Sequence, residues 1–160
     1  MLHMPFPLAT YRERLADVQR RMAEQELETM LVTMPDAVHW LTGVDSVGYL
    51  WPQALIVFAE PGREPLYVTR TTEEPGVDAC SWLTQRYFYD ISLEDPVEAI
   101  IGQLRAQEAV RGRIGLEDDA FTMVPSTARR IRAALPDADF VDCSYVVPEA
   151  RLIKSAFHGA

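Results

Sequence analysis

The acids Glu117, Asp118 and Asp119 invite a reading as a carboxylate cluster for a metal ion or for acid–base work. Such work needs carboxylates that converge on one point. Consecutive residues at a strand end point in different directions, so a solvated turn is expected. Glu117, at the strand's last position, is the one placed to accept bonds from neighbouring backbone N–H groups. His39 is a second candidate, within Ala37-Val38-His39-Trp40-Leu41. If Pro35–Thr42 is a helical turn, Val38 and Leu41 face inward and His39 lies off that face. It is then either a structural or exposed histidine, or a ligand contact beside Tyr49 and Trp51. Those two aromatics sit in the segment Asp45–Pro52, a loop between apolar runs, and loops on a rigid sheet are where binding concentrates.

The familiar catalytic patterns are missing. No serine sits in a G-x-S-x-G elbow, and Gly43 and Gly48 do not build a G-x-G-x-x-G dinucleotide loop. His3, His39 and His158 are scattered, with no His or Cys spacing that suits a metal. Cys80 and Cys143 are far apart and outside any C-x-x-C pattern, so free thiols are expected rather than a disulfide.

The elements that position these residues follow from periodicity. Tyr11, Leu15, Val18 and Met22 recur at helical spacing and predict an amphipathic helix over Leu8–Leu27. Short apolar runs at Thr29–Met34 and Gln53–Ala59 read as buried strands. Between them, Pro35 suits a first helical position and Gly43 a helix end. Glu60-Pro61-Gly62-Arg63 is a turn returning the chain as a hairpin strand over Glu64–Arg70. A short, poorly formed helix is expected within Thr71–Leu83 and a strand at Arg86–Asp90. Then come a helix from Glu94–Pro96 to Ala109, a strand at Arg113–Glu117 and a helix from Pro125 or Ser126 to Leu135. A strand at Asp139–Cys143 and a helix over Val146–Ile153 complete the pattern. Strands alternating with helices predict an α/β fold, a mixed β-sheet of about five to six strands with helices on both faces. The hairpin is what makes the sheet mixed.

Composition bounds the function. The 160 residues are 48% hydrophobic and 24% charged, an ordinary globular composition. No apolar run approaches the ~20 residues of a membrane span, and the amino terminus lacks the basic region of a secretory signal. No membrane partner and a cytoplasmic location are therefore expected. Acids outnumber bases 24 to 15, for a net charge of −9, which argues against nucleic acid, whose binding is driven by cations. The clusters Arg12–Arg14–Arg20–Arg21 and Arg129–Arg130–Arg132 fall on predicted helices near acids and are expected on solvated faces.

Several segments together resemble one family. R-x-x-x-V-Q-R-x-M (Arg14–Met22) leads into L-V-T-x-P-D-A-V-x-W-L-T-G (Leu31–Gly43), followed by the Pro-Gly hairpin, I-G-L-E (Ile114–Glu117) and E-A-R-L-I-K-S (Glu149–Ser155). In order and spacing they resemble the N-terminal domain of the creatinase / Xaa-Pro peptidase (prolidase, aminopeptidase P) family. The resemblance covers nearly the whole chain, and it implies a ribonuclease H-like sheet. It also implies a domain over residues 1–150 and, at 151–160, the start of a linker to a pita-bread catalytic domain absent from these residues. After Ser155, Ala156, Phe157 and His158 stand where the family usually has an acid.

In that family the second domain holds two metals on two Asp, one His and two Glu, or works without metal in creatinase. The resemblance therefore implies no cofactor in this chain and a divalent metal (Mn, Co or Zn) in the missing domain. It implies no catalytic residue here, a self-assembled homodimer or homotetramer, and a loop that contacts a peptide or small amide substrate in trans. The matching positions are Tyr49 and Trp51, with His39 third. The loop holds two aromatics and no Arg or Lys, which suits an aromatic wall against proline or another ring. A stand-alone binding or dimerisation module is the alternative. A nuclease would rest on fold analogy alone, against the acidic charge.

Overall fold

The structure, a computed structural model, describes residues 3–153. Lys154 and Ser155 of the expected junction, and the rest of the expected linker beyond Ile153, lie outside the described residues. Six strands form one sheet in the order β4-β3-β2-β1-β5-β6. They are β1 (Thr29–Val32), β2 (Ala54–Phe58), β3 (Leu66–Arg70), β4 (Arg86–Tyr89), β5 (Gly112–Leu116) and β6 (Ala138–Asp142). β2 is antiparallel to both neighbours, whereas β1–β5, β5–β6 and β3–β4 are parallel. The start of β2 and the carboxyl ends of the other five strands therefore share one edge of the sheet. The expected mixed α/β sheet with helices on both faces is the fold observed.

β1 and β2 are buried along their whole length, which is why they read as continuous apolar runs rather than alternating ones. Their side chains still divide between two cores. Met30, Val32, Leu55 and Val57 pack under α1 (Leu8–Glu24), α2 (Pro35–Thr42), α3 (Glu74–Cys80) and α6 (Val146–Leu152). Leu31, Ala54, Ile56 and Phe58 pack under α4 (Pro96–Ala106) and α5 (Pro125–Ala134) on the other face.

Two helices end before the pattern predicts, for one reason. Glu26 and Glu108 adopt positive φ (57° and 58°), and the next residues, Leu27 and Ala109, donate back to the carbonyls of Met22 and Leu104. This is a Schellman stop with glutamate in the position glycine usually takes. The apolar Leu27 and Ala109 continue the helical spacing although they lie past the stop, so the periodicity overran it. Gly43 closes α2 as expected, at φ 84°, and a Cβ there would meet the Cys80 carbonyl oxygen at 2.4 Å.

Arg14 corrects the expectation of a solvated arginine face. It is only 6% exposed, because positions 11, 14, 15 and 18 share one helical stripe. Its guanidinium lies 4.3 Å from the Phe6 ring centre and 5.0 Å from that of Trp40, and Nη1 donates to the Trp40 carbonyl at 2.8 Å. Gln19 is also buried on α1. Its Nε2 donates to the carbonyls of Phe58, Glu60 and Arg63 at 2.9–3.0 Å, and its Oε1 accepts from Gly62 N at 3.0 Å. One side chain thus ties the helix to the hairpin turn.

Candidate functional site

The loop from Asp45 to Pro52 enters β2 at the edge where the parallel strands end. Tyr49 and Leu50 at its tip are 60% and 66% exposed, whereas Trp51 is 7% exposed. Trp51 turns inward because its indole N–H donates to Thr69 Oγ1 at 3.2 Å while the Arg70 guanidinium covers its face at 3.3 Å from the ring centre. Glu73 joins the arrangement. Its Oε1 accepts from Arg70 Nη2 at 3.1 Å, and its Oε2 accepts from Ser46 Oγ at 3.2 Å.

Below the loop, the buried Gln53 accepts from the Tyr67 hydroxyl at 2.6 Å. Gly48 lies so close over that amide that a Cβ would fall 1.8 Å from Gln53 Nε2, so any side chain there would have to displace the Gln53 amide. Tyr89 donates its hydroxyl proton to the Pro52 carbonyl. Burial pushes Tyr67 up to about 12 and moves Tyr89 upward as well, so both stay protonated donors near neutrality. The loop therefore stands on a fixed polar base with its tip open to solvent.

Tyr49, Leu50 and Trp51 line a cavity of about 210 Å³ together with Phe121 and Thr127. His39 does not line it. It sits half-buried on α2, with Nδ1 3.2 Å from the Val44 carbonyl, a contact in which the ring N–H is the donor. It holds the start of the same loop rather than joining the two aromatics. Sequence reasoning missed Arg70 and Phe121. Arg70 was within reach of it: the register Ala54↔Val68 of the hairpin places residue 70 opposite Pro52, next to Trp51.

The acidic segment divides. Asp118 is exposed and binds Arg132 at 2.9 Å, and Asp119 accepts from the Tyr145 hydroxyl at 2.7 Å. Glu117 departs from the expected solvated turn, being 3% exposed. It does accept backbone bonds as its strand-end position suggested: Oε2 takes Thr33 N at 2.6 Å, Met34 N at 3.2 Å and Thr33 Oγ1 at 3.0 Å. Burial raises its pKa, against the lowering by those bonds.

Among the described residues no group of three His, Cys, Asp or Glu could hold a metal ion, and no helix is long and apolar enough to cross a membrane. Cys80 and Cys143 are free, Cys143 being buried and its thiol pushed well up by that burial.

Residues 14–153 match the Creatinase/Prolidase N-terminal domain family. An uncharacterised hydrolase/peptidase of Sinorhizobium fredii, y4tM, is 28% identical over 157 residues, covering 94% of this chain and 40% of the relative. The chain thus spans well under half of the curated relatives it matches. A dipeptidase of Pyrococcus horikoshii superposes with a TM-score of 0.73 at 21% identity, over 90% of this chain and 38% of that one. The N-terminal domain of the peptidase PepQ from Mycobacterium tuberculosis superposes with a TM-score of 0.70 at 20% identity, over 87% of this chain and 98% of that one. At such identities the structures are likenesses of fold, and they agree with the sequence match: the chain belongs to the creatinase/prolidase N-terminal domain family.

Proposed function

We propose that this chain is the non-catalytic N-terminal domain of a metal-dependent, Xaa-Pro peptidase-like hydrolase, where it builds a homo-oligomer and shapes a neighbouring subunit's substrate site. The observation that carries this reading is the 45–52 loop, an exposed aromatic tip on an ordered polar base, within a domain of this family. Tyr49 reaches outward to a substrate ring, Trp51 and Phe121 back it, and His39 fixes the loop's first residues. In the rest of such an enzyme a divalent metal (Mn, Co or Zn) would supply the activated water that attacks the amide carbonyl. The described part of this chain offers no donor set for that ion.

The test is light scattering of the purified 160-residue chain beside peptidase assays on Xaa-Pro substrates with Mn²⁺, Co²⁺ or Zn²⁺. A dimer or tetramer without turnover is expected. Metal-dependent turnover by this chain would overturn the non-catalytic reading, and a monomer at high concentration would overturn the assembly role. A stand-alone binding or dimerisation module is the second reading. Helices cover both faces of the sheet here, as such a module would require.

A further inference from the structure

β1 and β5 are parallel neighbours whose following helices leave to opposite faces, α2 to the side of α1 and α5 to the side of α4. In an open α/β sheet this divergence opens a crevice beyond the carboxyl ends of the two strands, where small ligands bind. A cavity of about 230 Å³ lies there. Its apolar walls include Met34, Ala37 and Pro148, together with two aromatic rings, Phe121 and Tyr145, that are 67% and 61% exposed.

Glu117 lines the same cavity. All three hydrogen bonds to its carboxylate fall on Oε2. Oε1 accepts none among the described residues, and it is not one of their sealed, unpartnered side-chain atoms, so it is open to the cavity although the residue as a whole is 3% exposed. Oε1 is thus free to accept from a donor that enters the cavity. The charge around it says which kind. Asp36 and Asp119 also border the cavity, and Arg151, the only cationic lining residue among the described residues, is already paired with Asp36. A ligand carboxylate would meet three acids, whereas an ammonium would meet an open carboxylate oxygen and two aromatic rings that favour cations.

We infer that this cavity binds a small primary ammonium bearing an apolar or aromatic group, its –NH₃⁺ donating to Glu117 Oε1 and its body lying against Phe121 and Tyr145. Glu117 then has two roles on two oxygens: Oε2 joins β5 to the end of β1, and Oε1 reads the ligand.

The experiment titrates the 160-residue chain with phenethylammonium, 2-phenylethanol and 3-phenylpropionate, following backbone amides by NMR. The ammonium is expected to bind at least about tenfold more tightly than the alcohol, as a charge-assisted hydrogen bond implies. Its shifts should fall on residues 34–37, 117–121 and 144–151, and the carboxylate should not bind. Glu117→Gln keeps an acceptor for Thr33 and Met34 and should weaken ammonium binding about tenfold or more. Phe121→Ala alters an exposed side chain, leaves the fold intact and should weaken binding roughly threefold or more. No ammonium binding, equal binding of the alcohol, shifts elsewhere, or unchanged affinity in Phe121→Ala would each overturn the assignment.

Discussion

The guanidinium carbon of Arg70 lies 3.3 Å from the centre of the Trp51 indole, so the last residue of one hairpin strand clamps the loop that leads into the other. Arg70→Met removes the cation and the ion pair with Glu73 while keeping an apolar chain over the ring. A loss of about 1 kcal/mol is expected, with faster amide exchange across residues 45–52 and unchanged exchange in β1. Unchanged exchange in the loop would mean that Gln53, Tyr67 and Ser46 hold it without the clamp.

Tyr49 and Trp51 should separate cleanly when truncated. Tyr49 is exposed, so Tyr49→Ala should move stability by less than ~0.5 kcal/mol, whereas Trp51→Ala empties a packed site and should cost about 3–5 kcal/mol. Under the proposed function, Tyr49→Ala in the intact hydrolase raises KM or relaxes substrate length, with metal content and folding unchanged. Equal kinetics across Xaa-Pro peptides of several lengths would remove Tyr49 from the substrate site.

Arg14 carries a buried guanidinium whose Nη2 has no hydrogen-bond partner among the described residues, and desolvation lowers its pKa. Replacing a buried charge by an apolar side chain of similar length is often neutral or stabilising. Arg14→Met should therefore stay within about 1 kcal/mol of the parent, while Arg14→Ala, which leaves a void between Phe6 and Trp40, should cost about 2–4 kcal/mol. Denaturant melts of the two variants check this, and a large loss in Arg14→Met would show that the charge itself is needed.

Alkaline pH should weaken the fold through Tyr67. Its hydroxyl ionises near 10 in an unfolded chain and at about 12 in the folded one, so between those values the unfolded state binds fewer protons. The stability from this group is complete below pH 10 and is lost as pH rises towards 12, at roughly 1.4 kcal/mol per pH unit. Tyr89 shifts in the same direction and adds to the slope. Tyr67→Phe should start less stable by about 1–2 kcal/mol, from the lost bond to Gln53, and should show a shallower alkaline decline. Equal slopes in urea melts across that pH range would contradict the shift.

Much of the architecture was legible because it is local. The spacing of Tyr11, Leu15, Val18 and Met22 specifies a helix, and the apolar runs around residues 31 and 56 specify buried strands. Pro35, Gly43 and the Pro61-Gly62 turn mark the breaks, and with the closing Arg151 segment they carried the family resemblance. The overrun at Glu26 and Glu108 arose because a glutamate at positive φ leaves no glycine for the eye to find.

What the chain order leaves undetermined is which distant groups meet. Glu117 finds Thr33 and Met34 across 84 and 83 positions, and it does so only because β1 and β5 are neighbours in the sheet. Gln19 becomes a clamp, Arg14 a buried charge and Trp51 a covered ring for the same reason: burial and partnership are properties of packed surfaces, not of residue type. Periodicity and turn chemistry are set by neighbours along the chain, so the sequence by itself determined the elements, their order and the mixed α/β class. The strand order that brings the ends of β1 and β5 together, and hence an open carboxylate oxygen beneath two exposed aromatic rings, was decided only by the tertiary structure.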